Sequence, residues 1–346
     1  MNKVLLNDLK EISLSSSVNW EKIDGKSFLI TGATGLIGSI LVKSLQLRNK
    51  LKNSNIKIYI IVRNKEKAYN LFSLDNLEVI ESSIENYIPK NLNIDYIIHA
   101  ASPTRSKFLN NNPVETINIQ IMGTKNILEQ AKLSNITSMV YISSMEVYGT
   151  LNCKNVEENK LGYIDIYNTR SSYSEGKRLC ELLNYSYFKE YSIPTKSARL
   201  AQTFGPGISN NENRVFKYFS DCIINKQDII LKSNGKTLIN YCYTTDVIIA
   251  LLMILINGNN GETYNVAGNK TKMNIYDSAK WLIEEYKTNK KVIIDIDNHN
   301  DFAPENQMLL SNHKLKSIGW QPKHNIKYGY KNLIKFLIEE NNKKDC

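Results

Sequence analysis

Cysteine is scarce in this chain and follows no pattern. Cys153, Cys180, Cys222, Cys242 and Cys346 form an odd, scattered set without a CxxC pair. That excludes zinc-ligand spacing and a disulfide framework, and leaves reduced, mostly buried thiols as the expectation. Long hydrophobic runs are missing too. The longest spans residues 247–256, far short of the roughly 20 residues a membrane span requires, and reads as a buried helix. The first residues mix Asn7, Asp8, Lys10 and Glu11 among apolar neighbours. This pattern lacks the apolar core and small-residue cleavage site of a secretion signal, so a cytoplasmic protein without a membrane partner is expected. The net charge is +10, yet no stripe of arginine interleaved with aromatics marks a nucleic-acid groove. A solvated basic surface that attracts anionic metabolites is the expected reading. No repeat period or low-complexity tract is present.

What is present has the size and balance of a globular enzyme. The 346 residues are 42% hydrophobic and 23% charged, enough for one large domain and a smaller lobe. A short apolar strand at 27–30 runs into Thr31-Gly32-Ala33-Thr34-Gly35-Leu36-Ile37-Gly38, and helical spacing follows over 39–45. A second strand covers 56–62, and further apolar runs lie at 77–80, 96–99 and 139–142, separated by helical stretches such as 123–133. Strands alternating with helices pair in parallel through right-handed crossovers. The expected fold is α/β, a Rossmann-type doubly wound parallel sheet. From about Lys196 the rhythm changes: strand-like pieces at 195–200 and 238–243 lie among loops rich in Asn, Gly and Pro, such as 204–213. A helix from Val247 and another near 275–286 follow. Residues 1–195 are read as a dinucleotide-binding domain and 196–346 as mainly a smaller C-terminal substrate-binding lobe. Segments near 196–204 and 238–258 return to the first domain.

Gly32, Gly35 and Gly38 give the spacing GxxGxxG between a strand and a helix, the context that makes a glycine pattern informative. Glycine at the turn lets the backbone approach a pyrophosphate, whose charge then sits at the helix N-terminus. At the end of the second strand such sites usually offer an acid to the adenosine ribose. This chain instead has Arg63, followed by Asn64, Lys65 and Lys67. A guanidinium there suits a ribose phosphate and favours NADP over NAD; a solvated basic turn is the alternative.

Tyr173 and Lys177 form a YxxxK pair, and four residues apart on a helix they share one face. A nearby ammonium favours the phenolate and is expected to lower the tyrosine pKa, making Tyr173 a general base. Upstream, Ser143 and Ser144 end a strand, where the C-terminal edge of a parallel sheet places catalytic groups.

In order along the chain, TGATGLIG (31–38), Asn118 in its segment 118–124, SSMEVYG (143–149), YSEGK (173–177) and TFGPG (203–207) resemble the extended short-chain dehydrogenases. That family holds the NAD-dependent nucleotide-sugar epimerases, dehydratases and decarboxylases. The resemblance implies catalytic roles for Tyr173, Lys177, Ser144 and Glu146, with Ser144 on the substrate hydroxyl and Lys177 also on the nicotinamide ribose. It implies a cofactor site of Gly32, Thr34, Gly35, Leu36, Ile37, Gly38, Arg63, Ala100, Ala101, Ser102, Ser143, Tyr173 and Lys177, and a substrate site drawing on Arg105, Asn118, Met145, Arg170, Gln202 and Arg214. It further implies a nucleotide-sugar substrate oxidised at C4, a recycled cofactor and a homodimer built through helices on one face of the sheet.

Within the family, Met145 stands where 4,6-dehydratases commonly carry an acid, and methionine cannot donate a proton. GDP-mannose dehydratases are similar with Ser there, so this reaction stays open. Arg170 three residues before Tyr173, Glu175-Gly176-Lys177-Arg178 and the Ala101-Ser102-Pro103 turn look most like UDP-glucuronate decarboxylases, whose chemistry needs only C4 oxidation before the β-keto acid loses carbon dioxide. Ile239 departs from that pattern, since the family usually has an Arg there, against the sugar-nucleotide diphosphate; Arg214 and Lys236 are possible replacements. A 4-epimerase is the alternative within the enzyme class, and a non-catalytic dinucleotide sensor the alternative outside it.

Overall fold

Seven parallel strands form the centre of the protein, in a computed structural model that describes residues 1–151, 155–209, 211–268, 273–296 and 308–343. They are β1 (Ser27–Thr31), β2 (Lys57–Val62), β3 (Leu77–Glu81), β4 (Tyr96–His99), β5 (Ser138–Ser144), β6 (Thr195–Leu200) and β7 (Thr263–Val266). Their spatial order is β7-β6-β5-β4-β1-β2-β3. The order reverses between β1 and β4, which opens a crevice beyond the strands' C-terminal ends, the place where such sheets bind ligands.

The central strands are apolar throughout because both faces are covered. Alternate residues of β1 feed two cores: Phe28 and Ile30 one, Leu29 the other. The helices that cover them are α1 (Lys3–Ser13), α2 (Leu36–Lys52), α3 (Pro113–Ser134), α4 (Ser171–Tyr191), α5 (Thr244–Asn257) and α6 (Ile326–Asn342). Pro113 opens α3, where its missing N–H costs nothing, and Asn135 in the left-handed conformation ends it. The apolar run read as a buried helix is α5, buried from Thr244 to Leu255 and packed on β5, β6, β7, α1 and α2.

Beyond the sheet, Gln202–Phe204 pairs with Tyr241–Tyr243, Ile229–Leu231 with Val292–Ile294, and Asn155–Val156 with Leu309–Leu310, all in parallel. The strand expected at 238–243 is confined to Tyr241–Tyr243, and β7 is a strand that the sequence pattern does not announce. Cys180, Cys222 and Cys242 are free and buried; Cys153 and Cys346 lie outside the described residues. No helix among the described residues is long and apolar enough to cross a membrane.

Candidate active site

The glycine turn leaves β1 at Thr31 and enters α2. Gly32 has φ +66°, and a Cβ there would stand 2.7 Å from the Ala100 carbonyl and 2.8 Å from the Ala101 nitrogen. Only glycine brings the turn this close to the loop after β4. At Gly38 a Cβ would meet the Gly32 oxygen at 2.4 Å, so a side chain would push α2 off the turn. Gly35 is the N-cap of α2, no side chain caps it, and no acid occupies the first turn. Unscreened amides at the start of a 17-residue helix are an anion seat. Thr34, Leu36 and Ile37 are half-buried beside it. Arg63, at the end of β2, is exposed and makes no ion pair among the described residues.

The catalytic candidates meet across β5 and α4. Tyr173 and Lys177 are 7% and 3% exposed, close to the end of β5. Lys177 Nζ donates to the Ile142 carbonyl at 2.7 Å and lies 5.8 Å from the Tyr173 ring centre. Ser144 favours the ionised form of the Tyr173 phenol, and its Oγ accepts from the Glu146 amide at 3.2 Å. The buried Ser143 hydroxyl has no partner among the described residues.

The lowered tyrosine pKa expected from the YxxxK pair is overturned. Burial pushes the Tyr173 phenol up and Glu146 adds to the push; Ser144, Arg170 and Arg214 pull it down without prevailing. The same burial lowers Lys177 to about 8. Without a ligand, the phenol is therefore neutral.

Arg170 closes the site from the N-terminus of α4. Its guanidinium holds Glu146 at 2.9 and 3.0 Å and lies 5.4 Å from the Tyr173 ring centre. One of its nitrogens is buried without a partner among the described residues. Arg214 pairs with Glu212 at 2.6 Å and lies over Phe216. Met145 is half-buried against the small core around Val147 and Tyr148.

Three expected substrate residues are exposed to solvent. Asn118 faces solvent on α3. The residue that reaches the site is Gln120, 2% exposed, which donates to Ser102 Oγ at 3.3 Å and to the Tyr173 carbonyl at 3.4 Å. Helical phase carried that signal: Thr116, Gln120 and Thr124 recur every four residues on the buried face of α3. Arg105 and Gln202 are exposed. Ile239 is 4% exposed within the main core, so position 239 offers the site no charge.

The sequence model of the NAD dependent epimerase/dehydratase family matches residues 28–267. The chain belongs to that family. It is 27% identical over 301 residues to UDP-glucuronic acid decarboxylase 6 of Arabidopsis thaliana, covering 87% of this chain and 85% of the relative. It is 26% identical to UDP-glucuronic acid decarboxylase 1 of Xenopus tropicalis, covering 92% and 73%. The fold matches UDP-glucose 4-epimerase from Thermotoga maritima with a TM-score of 0.77 at 19% identity, covering 91% of this chain and 99% of that one. It also matches a dTDP-glucose 4,6-dehydratase from Streptomyces venezuelae, with a TM-score of 0.75 at 16% identity and coverage of 91% and 98%.

Family membership makes this an NAD-dependent enzyme. The glycine cradle, the uncapped start of α2 and the orphaned Ser143 hydroxyl fit such a dinucleotide. The preference for NADP drawn from Arg63 gains no support: the family that matches is NAD dependent.

Proposed function

We propose that this enzyme decarboxylates UDP-glucuronate, as the names of its relatives suggest, and that it does so through transient oxidation at C4. The observation that carries the reading is the buried Tyr173, with Ser144 beside its phenol and the Arg170–Glu146 pair against it. Bound NAD supplies the two-electron oxidant and, afterwards, the reductant. Once its own proton has passed to solvent, the Tyr173 phenolate, its charge balanced by Lys177, Arg170 and Arg214, would take the proton of the C4 hydroxyl and later return it, and Ser144 Oγ would orient that hydroxyl. Lys177, Gly32, Thr34, Gly35, Leu36, Ile37, Gly38, Ala100, Ala101, Ser102 and Ser143 hold the cofactor. The free nitrogen of Arg170 receives the substrate's anionic group, and Arg214 stands in for the cation that Ile239 lacks. A β-keto acid loses carbon dioxide without a proton donor at position 145, which suits Met145.

Met145, which cannot donate a proton, suits equally a second reading, 4-epimerisation of a nucleotide sugar. Mass spectrometry of products formed from UDP-glucuronate and UDP-glucose separates the two. Loss of carbon dioxide from the first supports the decarboxylase; an unchanged mass with both, and an inverted C4 by NMR, supports the epimerase.

We further infer that residues 196–346 mainly form the substrate lobe, with 196–204 and 238–258 serving the dinucleotide domain. A homodimer forms through α3 and α4, where exposed Ile117, Leu179 and Leu182 line an apolar groove of about 440 Å³. The free thiols suit a reducing compartment such as the cytoplasm.

A further inference from the structure

His99 takes no part in the mechanism above, yet it is 1% exposed at the end of β4 and bonded on both sides of its ring. Nδ1 lies 2.7 Å from Thr31 Oγ1 and Nε2 lies 3.2 Å from Thr124 Oγ1. Burial pushes its pKa down to about 3, with the Lys177 charge adding to the effect, so the ring carries a single proton. The surroundings decide which nitrogen holds it.

Thr31 Oγ1 accepts from the Ala100 amide at 3.1 Å and from the Ala101 amide at 3.0 Å. Both of its lone pairs are then in use, and its one hydrogen points at Nδ1. Nδ1 is therefore the acceptor, and Nε2 holds the proton and donates to Thr124. Thr124 in turn donates to Cys180 Sγ at 3.2 Å, and the Cys180 thiol donates to the Gln120 carbonyl at 3.2 Å. No link can be reversed without leaving a buried donor facing a donor.

The two ends of this chain are not neutral ground. It starts at the amides of Ala100 and Ala101, the loop that Gly32 approaches most closely. It finishes at Gln120, whose side chain returns to Ser102 and to the Tyr173 carbonyl. Cys180 follows Tyr173 and Lys177 on α4 at the spacing that keeps all three on one helix face. The Tyr141 ring packs between, 5.6 Å from the His99 ring and 4.7 Å from Lys177 Nζ.

We propose that His99 is a positioning residue: through its imidazole, a one-way hydrogen-bond chain fixes the loop 100–102 against the helix that carries Tyr173 and Lys177. The claim rests on the NAD reading for its consequence, though not for its geometry. Breaking the chain loosens the loop and weakens cofactor binding before any chemistry occurs.

Two measurements test it on the full-length protein. NMR of protein labelled with nitrogen-15 at histidine is expected to show one histidine as the Nε2–H tautomer, unchanged across the neutral pH range. An Nδ1–H tautomer, or a charged ring, at His99 overturns the chain. NAD affinity measured by calorimetry is expected to fall roughly tenfold in Thr124→Val, the cost of leaving one buried donor unpaired, and to return in Thr124→Ser. Should Thr124→Val fail to fold, Cys180→Ala with Cys180→Ser as its rescue breaks and restores the next link. Wild-type affinity in the folded chain-breaking variant overturns the positioning role. If the wild-type protein binds no NAD, the cofactor reading fails, and the tautomer still decides the chain.

Discussion

Arg170 grips Glu146 through two contacts, at 2.9 and 3.0 Å. Both charges act on Tyr173, Arg170 pulling its pKa down and Glu146 pushing it up. Replacing Arg170 with Gln removes the favourable charge and leaves the unfavourable one bare. The acidic limb of the kcat–pH profile should move up by roughly one unit, and Glu146→Gln should move it down. A limb that stays in place in both variants removes Tyr173 from the role of titrating base.

The glycine turn makes a graded prediction. A Cβ at position 38 meets the Gly32 oxygen at 2.4 Å, whereas one at position 35 stands 3.3 Å from the same atom. Gly38→Ala should lower stability by about 1–3 kcal/mol, the usual range for overpacking, and abolish NAD binding. Gly35→Ala should be milder on both counts. Thermal melts with and without NAD read both effects; equal losses in the two variants contradict the geometry.

The N-terminal helix is fastened by a charge that pH can remove. His324 stands 3.2 Å from Glu11 on α1 and 3.1 Å from Asp246 on α5. Burial alone would lower its pKa, but Asp246 and Glu11 outweigh burial and raise it from 6.5 to about 9. The folded protein therefore holds this proton more tightly than the unfolded chain does. The stabilisation is full below 6.5 and is lost as pH rises through about 9. Asp8 nearby, raised to about 6 by burial, titrates below this window. The wild-type Tm should fall as pH climbs through it, and His324→Gln should melt lower at neutral pH with a flatter profile. Parallel profiles for the two proteins rule the clasp out.

Much of this site could be read from local sequence. The glycine turn, the Tyr173–Lys177 pair and the end of β5 each bring their chemistry within a few consecutive residues, where spacing fixes geometry. Helical phase on α3 turns Gln120 inward to Ser102 and Tyr173 and leaves Asn118 exposed, a distinction that motif spacing does not carry. β7 escaped because four residues at a sheet edge carry too little periodicity to separate them from a loop. The direction of the Tyr173 pKa is hidden for another reason. Sequence shows that a cation lies one helical turn away, but not that the phenol is buried or that Glu146 faces it. The same blindness hid His99, whose partners lie on two other elements, β1 and α3.

Tyr173→Phe separates binding from chemistry. The ring and its packing remain, and only the phenolic oxygen is lost. NAD affinity should stay within about twofold of wild type while turnover falls by at least about a hundredfold, the lower range for a lost general base. Turnover at the wild-type rate would remove Tyr173 from the mechanism.

The most direct test supplies purified enzyme with NAD and UDP-glucuronate labelled with carbon-13 at its carboxyl group, and follows labelled carbon dioxide in the headspace. The account predicts catalytic release by the wild-type protein and none by Tyr173→Phe. No release by the wild-type protein, with NAD bound and the substrate intact, would contradict it.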